Sequence, residues 1–303
     1  VPEYAFKDCN DLTYYNFNYT ETIGAEAFAG TKIHDLDCSQ VTEIAEGAFK
    51  DCTSLGVVNL PRLKDIDLSI FENSEAAVTE LNLNGVSEIT EEDAETFNFS
   101  KFINLKTVNL NSVTVIPART FKGCPLLENV TMNNCTKVCE EAFAYCTSLA
   151  DIKLNSATII EKSAFKYCAG LQNFEADSVT AFDFSTFDGC QNLKSLSFNS
   201  LTEISVDEDG KLDINNLDNL ESFSADKLTS VPDNFFKNCE KLTTVSFASA
   251  TKVGNYAFYN SALASVSLTR VDLPLPLTPV TTVKVLRGIL TFIPFKLLPV
   301  AFL

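Results

Sequence analysis

Residues 142–154 read Ala142-Phe143-Ala144-Tyr145-Cys146-Thr147-Ser148-Leu149-Ala150-Asp151-Ile152-Lys153-Leu154. The pair Ile159-Ile160 follows, and a second copy of the pattern begins at Ala164-Phe165. Within Ile152-Lys153-Leu154 apolar and polar residues alternate with a period of two, which is typical of a strand with one buried face. The stretch therefore defines a unit of the form A-F-x-x-C-x-x-L-x-x-[VIF]-x-[LFM], followed by a Val or Ile pair.

Phenylalanines mark the start of this unit again and again along the chain. They lie at Phe6, Phe28, Phe49, Phe71, Phe97, Phe121, Phe143, Phe165, Phe187, Phe236 and Phe258. Most intervals are 21 to 24 residues, which is a period typical of repeat architectures. The longer interval after Phe187 leaves room for one degenerate unit around residues 205–225, with apolar positions at Leu217, Leu220 and Phe223. We predict about eleven units.

A single unit of this size cannot bury its own apolar side, but stacked units turn each Leu, Val and Phe position into a continuous column. One strand per unit gives a parallel ladder with coils about 4.8 Å apart. The residues outside that strand lack a sustained 3.6-residue period, which favours turns, short strands and single 3₁₀ turns. We therefore predict a repeat solenoid with a strand ladder on its concave side and little helix.

The in-phase Phe, Cys and Leu columns resemble the BspA-like leucine-rich repeats, also described from a treponemal protein. The resemblance covers residues 1 to about 268, with Thr31 and Ser261 replacing Cys in two shortened units. It implies an α/β leucine-rich-repeat array. Members of that family are typically cell-surface or secreted proteins implicated in adhesion to host or neighbouring cells, so the resemblance also implies that location and role.

The net charge of -17 excludes some classes of partner. Nucleic acids and anionic lipids both require patches of Lys and Arg that this acidic chain lacks. We therefore expect no nucleic-acid partner and no direct membrane insertion.

Seven of the ten cysteines occupy one column of the template. They are Cys9, Cys52, Cys124, Cys146, Cys168, Cys190 and Cys239. A zinc site needs thiolates that converge from short spacings, and Cys135 with Cys139 has no second pair. Stacked parallel side chains also keep neighbouring Cβ atoms farther apart than a disulfide prefers. We expect buried free thiols that fill the core, and no metal or other cofactor.

Neither of two further candidate sites is complete. His34, the only histidine, has no Ser or Cys partner marked by a motif, so we assign no catalytic residue and predict no enzymatic activity. Asp207, Asp209 and Asp213 resemble part of a calcium loop, but Ser205 and Asn216 stand where a full loop has acidic residues. A solvated acidic loop is the alternative there.

Small polar residues occupy the outward position of the predicted strands. The stripe contains Asn59, Asn82, Asn109, Thr131, Lys153, Glu175 and Ser197, and continues through Ser224, Ser246 and Ser267. Solenoids often bind ligands on this surface, yet such residues also solvate an ordinary exposed sheet. No cluster of Trp, Tyr or Arg marks a binding hot spot on the stripe, so both interpretations stay open.

The last part of the chain differs from the rest. Residues 1–269 hold 19 Lys and Arg against 39 Asp and Glu, whereas residues 270–303 are apolar, Pro-rich and mildly basic, and lack the template. Read as codons in the opposite sense, residues 271–283 permit a phosphate-loop string that resembles the excinuclease ATPase subunit. We predict that 270–303 is not part of the repeat protein; a genuine Pro-rich tail or weak anchor is the alternative.

These observations favour a surface-exposed or secreted interaction protein that binds an extracellular protein or glycan through the solenoid. A structural spacer that holds another domain away from the cell is the competing class. An enzyme with an unrecognised site has the least support.

Overall fold

The computed structural model describes residues 1–87, 89, 98–205 and 217–263, together with the backbone of residues 265–267, 281–286 and 289–294. The described residues form a parallel β-solenoid in which helical structure is limited to short 3₁₀ turns, so the predicted solenoid is confirmed. It divides into two units: Val1–Leu171 with Thr186–Cys190, and Gln172–Ser185 with Gln191–Leu303. The predicted boundary at residue 269 stays a prediction.

The strands are short and regularly spaced. In chain order they are β1 (Thr22–Ile23), β2 (Leu36–Asp37), β3 (Glu43–Ile44), β4 (Val57–Asn59), β5 (Glu80–Asn82), β6 (Thr107–Asn109), β7 (Val115–Ile116), β8 (Asn129–Thr131), β9 (Lys137–Val138), β10 (Asp151–Lys153), β11 (Ile159–Ile160), β12 (Asn173–Glu175), β13 (Ala181–Phe182), β14 (Ser195–Ser197), β15 (Glu203–Ile204), β16 (Ser222–Ser224), β17 (Ser230–Val231), β18 (Thr244–Ser246), β19 (Lys252–Val253), β20 (Ser265–Ser267), β21 (Thr281–Leu286) and β22 (Ile289–Pro294).

The longer strands form the predicted concave ladder. In the first unit β2, β4, β5, β6 and β8 pair in parallel in that order. In the second unit β12, β14, β16, β18 and β20 do the same. In β4, β5 and β6 the central residue points into the core, since Val58, Leu81 and Val108 are fully buried. The period-two alternation therefore determines which face is buried.

Two-residue strands, of which Val115–Ile116 and Ile159–Ile160 are Val or Ile pairs, form a second set of parallel ladders. In the first unit β7, β9 and β11 are neighbours, and β1 pairs with β3. In the second unit β13 pairs with β15 and β17 with β19. A threonine precedes several of these strands, and its hydroxyl donates to the previous coil, as from Thr136 to the carbonyl of Thr114 at 3.0 Å. These contacts reinforce the stacking of coils.

A third set of hydrogen bonds joins the turns that carry the phenylalanines. The N–H of Phe143 donates to Ala164 O at 2.8 Å, and the N–H of Tyr145 donates to Lys166 O at 2.8 Å. Phe236 and Asn238 repeat the arrangement in the second unit, at 2.7 and 2.8 Å to Ala257 and Tyr259. Three parallel ladders therefore satisfy much of the backbone of a coil without helix.

Helical structure is confined to single 3₁₀ turns in the described residues, as predicted for the convex side. They lie at Leu68–Phe71, Glu75–Ala77, Phe99–Lys101 and Phe184–Phe187. In the first of them Asp67 accepts a hydrogen bond from the N–H of Ser69 at 2.8 Å. Such a side-chain cap is the usual way of satisfying the first free N–H groups of a helical turn.

Stacked phenylalanine rings form the core. Phe99, Phe121, Phe143 and Phe165 lie in successive coils with ring centroids 4.8, 5.1 and 5.2 Å apart and ring planes within 13° of parallel. Phe97, which the spacing assigned to this column, lies outside the described residues, and Phe99 is the ring that stacks on Phe121. All four stacked rings are fully buried, so each interior ring packs on two coils.

The backbone after the last repeat continues the second unit's concave ladder with antiparallel pairing. β22 pairs with β20, and β21 with β22. No helix in the described part of the chain combines the length and hydropathy needed to cross a membrane.

Candidate functional site

The predicted stripe in the first unit is a connected row of polar side chains. Asn59, Asn82, Asn109 and Thr131 are in register on adjacent strands. The amide of Asn82 donates to Asn59 Oδ1 at 2.7 Å, and the hydroxyl of Thr131 donates to Asn109 Oδ1 at 2.6 Å. Part of the hydrogen-bonding capacity is therefore used between coils, and the four side chains remain partly or fully exposed. Lys153 follows in this unit and is exposed.

The second unit carries the rest of the stripe. Glu175, Ser197, Ser224 and Ser246 are in register, and Ser267 is aligned with Ser246. The hydroxyl of Ser197 donates to Asp177 Oδ1 at 2.9 Å, and the hydroxyl of Ser224 donates to Asn199 Oδ1 at 2.9 Å. The stripe exists as a polar surface, but whether it binds a ligand stays a prediction.

The weak calcium candidate lies outside the described residues, since Asp207, Asp209 and Asp213 fall within residues 206–216. Among the residues the structure describes, no three His, Cys, Asp or Glu side chains lie together as metal ligands would. The exposed ring of His34 lies 3.2 Å from the carbonyl of Ser54.

The cysteine column has a role that the sequence did not reveal. The thiol of Cys146 donates to the carbonyl of Phe121 in the preceding coil at 3.1 Å. Equivalent contacts from four more cysteines are Cys52 to Phe28 (3.1 Å), Cys124 to Phe99 (3.3 Å), Cys168 to Phe143 (3.0 Å) and Cys190 to Phe165 (3.0 Å). Ser74 occupies the same column and donates to Phe49 O at 2.7 Å. The column therefore supplies hydrogen-bond donors as well as volume.

These thiols are chemically quiet. Burial raises the pKa of Cys124 to about 12 and that of Cys135 to about 11. It raises the pKa of Cys146 well above the ordinary value for a thiol. Because the thiolate is the reactive form, these cysteines are poor nucleophiles and poor metal ligands at neutral pH.

In Phe turns such as those of Phe28, Phe143 and Phe165, the residue two positions before the Phe and the residue two positions after it both have the left-handed conformation. The turns of Phe71 and Phe187 have only the second of these. The first row includes Glu26, Gly47, Arg119, Glu141, Ser163 and Asn234, with φ between 50° and 65°. The second includes Asp8, Gly30, Asp51, Asn73, Gly123, Tyr145, Tyr167, Gly189, Asn238 and Asn260, with φ between 56° and 78°. Gly, Asn and Asp dominate the second row because they tolerate positive φ.

Tyr145 and Tyr167 are the exceptions in the second row. A bulky side chain at positive φ costs on the order of 1–2 kcal/mol, and both side chains remain 44% exposed. Their rings stack on each other with centroids 4.9 Å apart and planes 27° from parallel. Strained, exposed residues of this kind are candidates for function. The signal available in the sequence was tyrosine at a position that other coils give to Gly, Asn or Asp.

Several ion pairs of the first unit involve residues that are close in sequence to the two tyrosines. Glu141 accepts hydrogen bonds from Lys122 at 2.8 Å and from Arg119 at 2.9 Å, and these bonds hold the pKa of its carboxyl below the usual value. Lys166 Nζ lies 5.5 Å from the centre of the Tyr167 ring and 3.8 Å from Asp188. Each of these charged groups therefore lies within 4 Å of an opposite charge.

The repeats match a known family of leucine-rich repeats. The model of the BspA type leucine rich repeat region matches residues 1–97, 89–194 and 158–272, in six copies. A search of curated proteins finds no match.

Solved structures share the architecture at low sequence identity. A leucine-rich repeat protein from Bacteroides ovatus is 22% identical, with a TM-score of 0.42 over 85% of this chain and 73% of that one. A leucine rich cell surface protein from Faecalibacterium prausnitzii is 19% identical, with a TM-score of 0.32 over 81% and 82%. A chain of the Drosophila Toll–Spatzle complex is 17% identical, with a TM-score of 0.54 over 80% of this chain and 38% of that one.

Proposed function

Since the chain belongs to the BspA-type leucine-rich repeat family, we propose that it is a non-enzymatic cell-surface or secreted protein that binds an extracellular protein or glycan. The ligand contacts the solenoid surface, and the role of that binding is adhesion to host or neighbouring cells. The single observation that carries this proposal is the continuous polar ladder of the stripe, held on adjacent strands in register.

The stripe suits reversible binding for physical reasons. Its backbone is held by the strand ladder, so a ligand orders few groups when it binds. An amide has two N–H donors and two acceptor sites, so the contacts between coils leave part of its hydrogen-bonding capacity for a ligand. The fold also occurs in a chain of the Drosophila Toll–Spatzle complex. The net charge of -17 disfavours nucleic acid and anionic membranes as the ligand.

A bead assay tests the adhesive role. Beads coated with the full chain are mixed with epithelial cells and with bacteria, before and after treatment of the cells with protease or glycosidase. We expect the beads to attach, and the treatment that abolishes attachment identifies the ligand as protein or glycan. Absence of attachment to every cell type would contradict adhesion, and failure of antibody to label intact source cells would contradict surface location.

A triple substitution tests the stripe itself. Asn82→Lys, Asn109→Lys and Thr131→Lys place three long cations on adjacent strands of the first unit, where they obstruct the row. Bead attachment should be lost while the circular dichroism spectrum stays unchanged. The charge-matched control carries Thr13→Lys, Thr53→Lys and Gln191→Lys, which are exposed positions outside the stripe. Equal attachment by the triple variant and the control would place binding elsewhere on the surface.

A further inference from the structure

We propose that the stripe of the second unit binds a partner protein through two basic side chains that are three residues apart on a polyproline II segment. The inference rests on the proposed function and deepens it, because it names the chemistry of the partner. The juxtaposition that supports it is a pair of half-buried carboxylates, Asp177 and Asp226, two strands apart on a sheet face whose hydroxyl protons are already donated between coils.

The serine hydroxyls of this stripe offer a ligand acceptors only. Each donates to an Asp or Asn side chain of the preceding coil: Ser197 to Asp177 and Ser224 to Asn199 at 2.9 Å, and Ser246 to Asp226. A hydroxyl has a single proton, so these serines keep only lone pairs for a further contact. Because carboxylates also cannot donate, the row is complementary to a ligand that brings its own donors.

The two carboxylates each retain one oxygen for such a ligand. Oδ1 of Asp177 accepts from the hydroxyl of Ser197 and also from the N–H of Asn199 at 3.3 Å. Oδ1 of Asp226 accepts in the same way, with the N–H of Ala248 at 3.4 Å. In the part of the chain that the structure describes, Oδ2 of neither residue accepts a hydrogen bond.

The chain's own cations do not neutralise these carboxylates. Lys227 follows Asp226 in sequence, yet its Nζ lies 3.4 Å from Ser200 Oγ. Nζ of Lys194 donates to Gln172 Oε1 at 2.9 Å. The outward residues of β12, β14, β16 and β18 include no Lys or Arg. A half-buried carboxylate attracts a cation more strongly than one in bulk water, so a guanidinium or ammonium group is the complementary donor.

The distance between the carboxylates selects the form of the partner segment. Asp177 and Asp226 follow β12 and β16, which are two positions apart in the order β12-β14-β16. Neighbouring strands are about 4.8 Å apart, so the carboxylates are about 9.5 Å apart along the ladder. A polyproline II segment rises about 3.1 Å per residue with three residues per turn, so same-side residues repeat every ~9.3 Å. An extended strand repeats them every ~6.7 Å, which does not match.

Three fluorescein-labelled peptides test the charge and the spacing by fluorescence polarisation on the full chain. The first is proline-rich with two arginines separated by two prolines. The second has the same composition with the arginines adjacent, and the third replaces both arginines by citrulline, which has N–H donors without charge. We expect the first to bind about tenfold more tightly than the second, because adjacent arginines reach one carboxylate only. The citrulline peptide should show no saturable binding.

Equal affinity of the two arginine peptides would reduce their binding to attraction by the net charge of -17 and overturn the proposed spacing. Equal binding of the citrulline peptide would overturn the requirement for a cation. These comparisons use the unchanged chain, so they decide the matter independently of any variant.

Replacement of both carboxylates by amides tests the site itself. Asn already occupies this column at Asn111, whose Oδ1 accepts the N–H of Asn133 at 3.2 Å, so Asp177→Asn with Asp226→Asn keeps the contact between coils. The charge-matched control is Glu203→Gln with Asp218→Asn, which are exposed positions outside the stripe. The first double variant should bind the spaced peptide about tenfold more weakly, and the control should not. Equal affinity of the two double variants would overturn the site.

The outcome separates this inference from the adhesive role. Bead attachment by a chain that does not prefer the spaced peptide would leave the proposed function standing and remove the basic partner. Preference for the spaced peptide without bead attachment would support the site and contradict adhesion. Attachment that survives protease and is abolished by glycosidase would overturn the protein partner in favour of a glycan.

Discussion

Substitution of Cys146 distinguishes two explanations of the cysteine column. If the thiol only fills space, an apolar residue of similar size should replace it better than a polar one. If its hydrogen bond to Phe121 O matters, a hydroxyl should be the better replacement. Ser74, which is 1% exposed and donates to Phe49 O at 2.7 Å, shows that a hydroxyl fits an equivalent position.

The expected magnitudes follow from the geometry. Cys146→Ser keeps a donor and loses some apolar volume, so it should cost about 1 kcal/mol. Cys146→Val loses a hydrogen bond of about 1 kcal/mol and adds a methyl group to a fully buried site, which costs another ~1–2 kcal/mol. Phe121 O keeps its bond from the N–H of Cys124 at 3.2 Å, so the carbonyl is not left without a donor. We expect Ser to be more stable than Val by about 1–2 kcal/mol.

Thermal unfolding followed by circular dichroism ranks the variants by Tm, and urea unfolding gives their free energies of unfolding. Each 1 kcal/mol should lower Tm by about 2–4 °C in a chain of this size class. The same substitutions at Cys9, which is exposed in the first coil, are the matched control. There the Ser and Val variants should be equally stable. A Val variant as stable as the Ser variant, or more stable, would refute the donor role and restore the space-filling explanation.

Three further changes probe other parts of the fold. Phe165→Ala removes a fully buried ring that stacks on Phe143 at 5.2 Å, and should cost about 3–5 kcal/mol in urea unfolding; exposed Lys153→Ala should cost little, and equal losses would refute the assigned column. Gly189→Ala adds a Cβ 2.3 Å from the Tyr167 ring at a φ of 76°, and should lower the free energy of unfolding by about 1–3 kcal/mol. Gly123→Ala has the same kind of backbone but meets no neighbour, so it should cost less. An equal or greater loss for Gly123→Ala would contradict the close approach of the Tyr167 ring to Gly189. Burial raises the pKa of Cys124 and Cys239 to about 12. The stability that each buried thiol contributes is therefore fully present below the ordinary thiol pKa of 9.0 and is lost as pH rises toward 12. The free energy of unfolding should fall by about 1.4 kcal/mol per thiol for each pH unit above 9.0, and a Tm that stays constant between pH 9 and 11 would contradict this.

The buried architecture was predictable because it depends on one-dimensional spacing. The Phe interval gives the coil length, and the alternation in Ile152-Lys153-Leu154 gives the buried face. Stacking in phase then follows from burial alone. Spacing alone cannot choose between two nearby phenylalanines: Phe99 stacks on Phe121, whereas Phe97 lies outside the described residues.

The surface was less predictable because it depends on backbone conformation and on contacts between coils. Nothing in the order of residues shows that Tyr145 and Tyr167 have positive φ, or that the Cys146 thiol reaches a carbonyl 25 residues earlier. The stripe residues of the first unit lie on adjacent strands, but their use by a ligand depends on a partner that the chain does not encode.

The left-handed row after each Phe has a consequence for how such chains can diverge. The position has one backbone geometry in coil after coil, yet it accepts Gly, Asp, Asn and Tyr with the core beneath it unchanged. Duplication or loss of a whole coil would move these side chains relative to one another in increments of one coil. New surface combinations could therefore arise by recombination between repeats, without compensating mutations in the interior.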